Sequence, residues 1–204
     1  MRINKKKFIY LISPNKITNK FYKDLKLVLK TKRVSNFQLR LKKYSMKQKI
    51  LIGKKIKKIC KSNKVNFLIN DDPWLAKALD ADGCHLGQSD MMINEARSII
   101  GNKIIGVTCH NSIRLAKIAI KSKANYLAFG AFYSTKTKKA RYRASTKILN
   151  KVNKITNLPI VAIGGINSTN YKNLLLNKAN FLAISGYIWK NKKLKPVKAV
   201  RILR

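Results

Sequence analysis

Carboxylates are scarce in this chain: of 204 residues, 46 are Lys or Arg and only seven are Asp or Glu. Five of the seven, Asp71, Asp72, Asp80, Asp82 and Asp90, crowd into INDDPWLAKALDADGCHLGQSD at 69–90. Their neighbours divide them. Asp72 precedes Pro73, the pattern of a helix N-cap with proline in the first helical position. Asp80 closes a helical stretch and Asp82 precedes Gly83, so both read as turn residues. Asp71 and Asp90 are different, because each follows a short apolar run. Two carboxylates on neighbouring loops, among lysines, have the chemistry to hold Mg²⁺ jointly with substrate phosphates. Spacing alone leaves a second reading open, in which Asp90 caps the helix beginning at MMINEARSII and Asp71 pairs with a lysine.

Other polar groups recur in the same kind of place. QLRLK puts Gln38, Arg40 and Lys42 at alternate positions, on one side of a strand. In a closed barrel that side is buried, and three polar groups there are costly unless they bind something. GAFYSTKTKK (130–139) offers Thr135, Thr137 and Lys138, hydroxyl and ammonium donors suited to phosphate. Gly164-Gly165 and Ser185-Gly186 end two later runs, where small residues let backbone N–H groups approach an anion. His85 lies within GCHLG and reads as an inward, hydrogen-bonded core histidine; His110 carries no assignment.

The elements that must position these groups are short apolar runs separated by helical patterns. The runs are 8–13, 36–41, 66–71, 83–87, 103–108, 125–132, 159–165 and 180–185. Each is strand length and rich in β-branched or aromatic residues, as buried parallel strands are. Between them, stretches such as LAKIAIKSK and STKILNKVNKI carry apolar residues three or four apart, and Ser145 and Ser168 suit helix N-caps. Eight such alternations predict an α/β fold, a (β/α)₈ barrel filling one domain over 1–204, with a doubly wound open sheet as the alternative. The barrel requires its chemistry at the carboxyl ends of the strands, which is where the polar groups fall. No internal repeat or linker stands out.

Composition bounds the rest. A hydrophobic share of 46% fits a globular chain, and no apolar run reaches the length of a membrane span. Cys60, Cys84 and Cys109 are odd in number and lack CxxC spacing, which points to a reducing cytoplasm. The formal charge of +39 attracts polyanions. Its lysines are scattered rather than clustered, however, and only nine of the 46 cations are Arg. That pattern predicts weak, nonspecific nucleic-acid binding at low salt, no specific nucleic-acid partner and no membrane. Oligomeric state is left open, a homo-oligomer included.

Taken in order, QLRLK, IND with ADGCHLGQSD, IGVTCHN, FGAFYSTKTKK, VAIGGI and AISG resemble the thiamine phosphate synthase family, from about Phe8 to Trp189. The resemblance implies a TIM barrel that joins hydroxymethylpyrimidine diphosphate to a thiazole phosphate, releasing pyrophosphate. It places the pyrimidine and diphosphate on Gln38, Leu39, Arg40, Leu41, Lys42, Asn70, Thr108 and Lys138, with Arg40, Lys42 and Lys138 neutralising the leaving group. It implies Mg²⁺ on Asp71 and Asp90, and thiazole phosphate on Thr135, Thr137, Gly165, Ile184 and Ser185. Departures accompany it: Leu41 stands where the family often has Glu, Asp72 for Arg, Ser89 for Glu, Thr108 for Ser, and Ala131 and Ser134 for prolines. A related thiazole tautomerase shares the fold without needing diphosphate-bound Mg²⁺. Retention of both aspartates with QLRLK and TKTKK favours the synthase over that relative and over a basic nucleic-acid-binding protein.

Overall fold

The computed structural model describes residues 7–135 and 142–203. Parallel strands β1 (Ile9–Ile12), β2 (Val34–Leu39), β3 (Asn66–Asn70), β4 (Gly83–Leu86), β5 (Ile104–His110), β6 (Tyr126–Gly130), β7 (Ile160–Ile163) and β8 (Phe181–Ile184) close in sequence order into a barrel. Helices α1 (Asn19–Lys30), α2 (Met46–Ser62), α3 (Pro73–Ala78), α4 (Ile93–Ile100), α5 (Ile113–Lys121), α6 (Lys147–Asn153) and α7 (Tyr171–Leu176) return the chain between strands, and α8 (Gly186–Trp189) and α9 (Pro196–Ile202) follow β8. The open-sheet alternative is thereby excluded, because β8 pairs with β1.

Strand alternation builds two separate cores. Residues such as Ile9, Leu11, Phe37, Leu39, Phe67, Ile69, Val107, Phe129 and Ile184 point outward and pack beneath the helices. Their intervening neighbours Tyr10, Ile12, Leu68, Tyr126, Ala128, Val161, Phe181 and Ala183 fill the barrel interior. Each large side chain so buried contributes about 1.5–3 kcal/mol. Inward positions are not all apolar: Asn36 and Gln38 of β2 are buried there, at 0% and 3% exposure. Gly106 of β5 is glycine for a steric reason. A Cβ at that position would lie 1.8 Å from Cζ of Tyr126.

At the amino end of the barrel a short motif recurs that the sequence alone did not bring out. Ala81-Asp82, Ala124-Asn125 and Ala179-Asn180 each precede an even-numbered strand, β4, β6 and β8. Asp82 Oδ2 accepts the Phe67 N–H (2.7 Å), Asn125 Oδ1 that of Ile105 (2.8 Å) and Asn180 Oδ1 that of Ile160 (2.7 Å). Each thus holds the start of the preceding strand, whose N–H has no strand partner. Asp82 is therefore a strand clasp and not only a turn residue. Asp80 likewise does more than end a helix, since its carboxylate bridges Lys57 of α2 and Lys103 ahead of β5.

Three local expectations change. The second strand ends at Leu39 rather than at 41, because the Arg40 N–H turns to Ser13 Oγ (2.9 Å) instead of a neighbouring strand. Thr146, not Ser145, stands at the start of α6, and Asn170, not Ser168, at the start of α7; neither makes a side-chain capping bond. Asp72 does cap α3, accepting the Leu75 N–H at 2.9 Å, with Pro73 in the first turn.

Candidate active site

Asp71 and Asp90 meet at the carboxyl end of the barrel. Asp71 follows β3 in the left-handed region (φ 64°), a conformation that Asp tolerates better than most residues. Its N–H donates to the His85 carbonyl at 2.8 Å, which sets the carboxylate over the gap between β3 and β4. Asp90 closes the turn after β4, its Oδ2 accepting the Gly87 N–H at 2.7 Å. It does not cap the next helix: Met92 occupies that position, without a side-chain bond. Gln88 secures the same loop by donating to the Thr108 carbonyl on β5.

The two carboxyl groups lie within hydrogen-bonding reach of one another. Burial opposes ionisation of both. For Asp71 the bond from Asp90 and the Lys42 ammonium at 3.0 Å outweigh burial and hold its pKa below the usual range. For Asp90, burial and the neighbouring Asp71 charge act together and push it up. Such a pair resists ionising both groups together and sets hard oxygen donors side by side. Asp71 thus pairs with a lysine, as the second reading had it, and also faces Asp90.

The strand-two residues divide between the two sides of the wall. Gln38 points into the barrel and donates from Nε2 to Tyr10 Oη at 3.0 Å. The Leu39 and Leu41 side chains are buried on the helix side, which leaves only their backbone for a ligand at the barrel mouth. Arg40 lies beyond the strand end, half-buried, and its guanidinium meets no acceptor among the described residues. Lys42 is exposed except for its bond to Asp71. Asn70 ends β3 beside His85 of β4. Thr108 of β5 points inward, 2.8 Å from His85 Nε2.

Opposite them, the loops after β6, β7 and β8 converge. Gly164 (φ 107°) and Gly165 (φ 63°) are required by close approach as well as by conformation. A Cβ on Gly165 would lie 2.3 Å from the Ser134 carbonyl oxygen. Thr135 is half-buried in that loop; Thr137 and Lys138 lie outside the described residues. Asn170 Nδ2 donates to the Gly165 carbonyl at 3.0 Å and holds the glycine turn. Ile184 is buried at the end of β8, its side chain on the helix side, and Ser185 Oγ donates to the Ser13 carbonyl at 3.2 Å. Ser13, just past β1, was not foreseen. Its Oγ accepts the Arg40 N–H (2.9 Å), so one residue ties the strand-two and strand-eight loops together. A cavity of about 440 Å³ opens beside this mouth, lined by Leu39, Leu41, Lys42, Lys49, Asp71 and Trp74 among others. It flanks the carboxylate pair rather than lying on the barrel axis.

Residues 9–188 match the family described as thiamine monophosphate synthase. The thiamine-phosphate synthase of Pelagibacter ubique (strain HTCC1062) is 68% identical over 207 residues, with 100% of both chains covered. That of Erythrobacter litoralis (strain HTCC2594) is 39% identical, covering 89% of this chain and 87% of its own. The chain belongs to the thiamine monophosphate synthase family. A solved thiamine phosphate pyrophosphorylase from Pyrococcus furiosus superposes with a TM-score of 0.86 at 28% identity, covering 98% of this chain and 95% of that one. Family membership makes the protein an enzyme of the transferase class on a (β/α)₈ barrel.

What residue-by-residue reading missed of the candidate site is chiefly hydroxyls. Tyr10, Tyr126 and Ser13 touch, directly or through one another, residues that were foreseen. Tyr10 sits in FIYLIS and Tyr126 in NYLAFG, where a tyrosine passes for one more apolar strand residue. The available signal was strand alternation, which places both on the inward side. His110, at the bulged end of β5, lies against Tyr142 with ring centroids 4.3 Å apart and planes tilted by 32°.

Proposed function

We propose that the protein is a Mg²⁺-dependent thiamine phosphate synthase working at this mouth. The observation that carries the reading is the convergence of Asp71, Asp90 and Lys42 with Gln38 and Thr108 at one end of the barrel, in a chain with so few acids. Asp71 and Asp90 are the residues that would hold the metal. Two carboxylates suit an ion that keeps several waters and takes its other oxygens from substrate phosphate. Among the described residues no cluster of three or more His, Cys, Asp or Glu offers an all-protein cage. Bound there, Mg²⁺ would supply positive charge to the departing diphosphate.

The remaining work falls to the chain's own groups. Gln38 and Thr108 orient the pyrimidine, and Arg40, Lys42 and Lys138 neutralise the diphosphate. The bond between the methylene carbon and the bridging oxygen breaks, its electron pair leaving with pyrophosphate. The electron-rich aminopyrimidine ring stabilises the resulting methylene cation, and the thiazole nitrogen lone pair closes the new C–N bond. Thr135, Thr137, Gly165 and Ser185 hold the thiazole phosphate with the Ile184 backbone, while Asn70 and the backbone of Leu39 and Leu41 serve the pyrimidine diphosphate. No protein nucleophile is needed, so catalysis is positioning plus electrostatic stabilisation. Three free, buried cysteines fit a reducing cytoplasm, and 1–204 acts as one unit.

Incubation with both phosphorylated precursors, with and without Mg²⁺, tests the reading. Thiamine phosphate formed only with Mg²⁺ supports it. Isomerisation of the thiazole phosphate alone, without condensation, would assign the related tautomerase instead.

A further inference from the structure

Five side chains form one hydrogen-bonded file across the barrel interior. Gln38 Nε2 donates to Tyr10 Oη at 3.0 Å, and Tyr10 Oη lies 2.8 Å from Tyr126 Oη. Tyr126 Oη lies 2.9 Å from His85 Nδ1, and His85 Nε2 lies 2.8 Å from Thr108 Oγ1. The imidazole also stacks on the Tyr126 ring, 18° from parallel with centroids 5.6 Å apart. The file begins on β2 and ends on β5, at two residues assigned above to the pyrimidine.

The direction of every proton in it follows from counting donors. Tyr10 oxygen already accepts from Gln38, so its single O–H turns to the next oxygen in reach, that of Tyr126. Tyr126 oxygen is then an acceptor, and its own O–H goes to His85 Nδ1. A neutral imidazole that accepts at Nδ1 carries its proton on Nε2 and donates to Thr108 Oγ1. Thr108 therefore keeps its O–H for a group outside the file. At the other end Gln38 has committed an N–H inward and keeps its carbonyl Oε1 as an acceptor. A buried file of this kind is sound only when every member is satisfied. The backbone makes room for it, since Gly106 leaves the space that the Tyr126 ring occupies.

We propose that Tyr10, Tyr126 and His85 are positioning residues that impose one hydrogen-bonding sense on the mouth, presenting Thr108 as a donor and Gln38 as an acceptor. That sense matches a heteroaromatic ring with a ring nitrogen to accept and an exocyclic amine to donate. It discriminates against an isosteric ring with an oxo group and a protonated ring nitrogen, which would leave like groups facing one another. The inference rests on the assignment of Gln38 and Thr108 to the substrate and adds the residues that decide their polarity.

The test reads the proton itself. The chain has only two histidines, so ¹⁵N-labelling of histidine and two-bond ¹H–¹⁵N correlation spectra resolve both rings, with His110→Gln identifying the His85 signals. In the ligand-free full chain the expected tautomer of His85 is Nε2–H. Nδ1–H would overturn the proposal, since the file would then run the other way and end on Thr108 as a donor into the core. Tyr126→Phe keeps the ring and removes the link. It should leave His85 as a mixture of tautomers and raise KM for the pyrimidine diphosphate by about tenfold, with KM for the thiazole phosphate unchanged. An unchanged tautomer, or equal effects on both substrates, would mean that the hydroxyl is mere packing. Tyr10→Phe keeps the Tyr126–His85 contact but removes the Gln38–Tyr10 end that fixes its sense. It should likewise mix the tautomers, and it serves if the first variant does not fold. The tautomer is read without substrate, so its outcome stands apart from the reaction assigned to the mouth.

Discussion

Two carboxyl groups within reach of one another resist joint ionisation, and that fact governs Asp90. Burial and the Asp71 charge raise its pKa, so the folded protein holds the Asp90 proton more tightly than the unfolded chain does. Protonation therefore favours the fold at low pH, and this contribution is lost as pH rises through the raised folded value. Asp90→Asn removes the repulsion. At pH 7 without metal, its thermal midpoint should equal or exceed that of the wild type, while turnover falls by about 100-fold. A large drop in midpoint would mean that Asp90 is structural. Asp80 has the opposite sign. Lys103 and Lys57 hold its pKa down to about 2 from 3.8. Its contribution is full above the unfolded value and disappears as pH falls from about 4 to about 2. The difference in urea midpoint between wild type and Asp80→Asn should therefore be largest near neutrality and shrink over that window.

At the scale of elements, the barrel separates what holds it closed from what it offers to substrate. The clasps of Asp82, Asn125 and Asn180 lie at the amino end, and the candidate site lies at the other. Replacing any one clasp by Ala leaves a buried strand N–H without its acceptor, at about 1–3 kcal/mol, with KM values unmoved in the folded fraction. Urea unfolding beside steady-state kinetics checks both halves of this expectation. Ser145→Ala and Ser168→Ala, whose side chains cap nothing, should stay within about 0.5 kcal/mol. The contrast marks where sequence stops being legible. Eight runs and their order were readable, because buried parallel strands are locally apolar whatever surrounds them. The Asp72 cap was equally readable, being a local pattern with proline beside it. The caps assigned to Ser145 and Ser168 failed because a helix start depends on where the preceding loop releases the chain. Ser13 was invisible for a related reason: its partners are Gln38, Arg40 and Ser185, far apart in sequence and joined only by closure of the barrel.

Over the whole molecule, 46 cations against seven acids impose self-repulsion that few ion pairs relieve. Among the described residues the acids in ion pairs are Asp24, Asp71 and Asp80, and one of those pairs lies in the candidate site. Salt should therefore stabilise this protein: the thermal midpoint should rise as NaCl goes from about 0.01 to 0.2 M, where the Debye length shortens from about 30 Å to under 10 Å. A falling midpoint would show that the surface ion pairs outweigh the repulsion. The same field attracts anionic molecules to the protein. The acidic cluster at 69–90 separates at this scale into a cap, a lysine bridge, a strand clasp and the carboxylate pair proposed to hold the metal. Only the cap was plain from spacing; the pair needed the resemblance of several motifs, and the other two needed three dimensions. The most direct test of the account is the yield of thiamine phosphate and pyrophosphate from both precursors under a Mg²⁺ titration, for wild type beside Asp71→Asn and Asp90→Asn. The account predicts equal amounts of the two products, none without Mg²⁺, and turnover lower by about 100-fold in each variant. Product formation that ignores Mg²⁺, or that survives both substitutions, would contradict it.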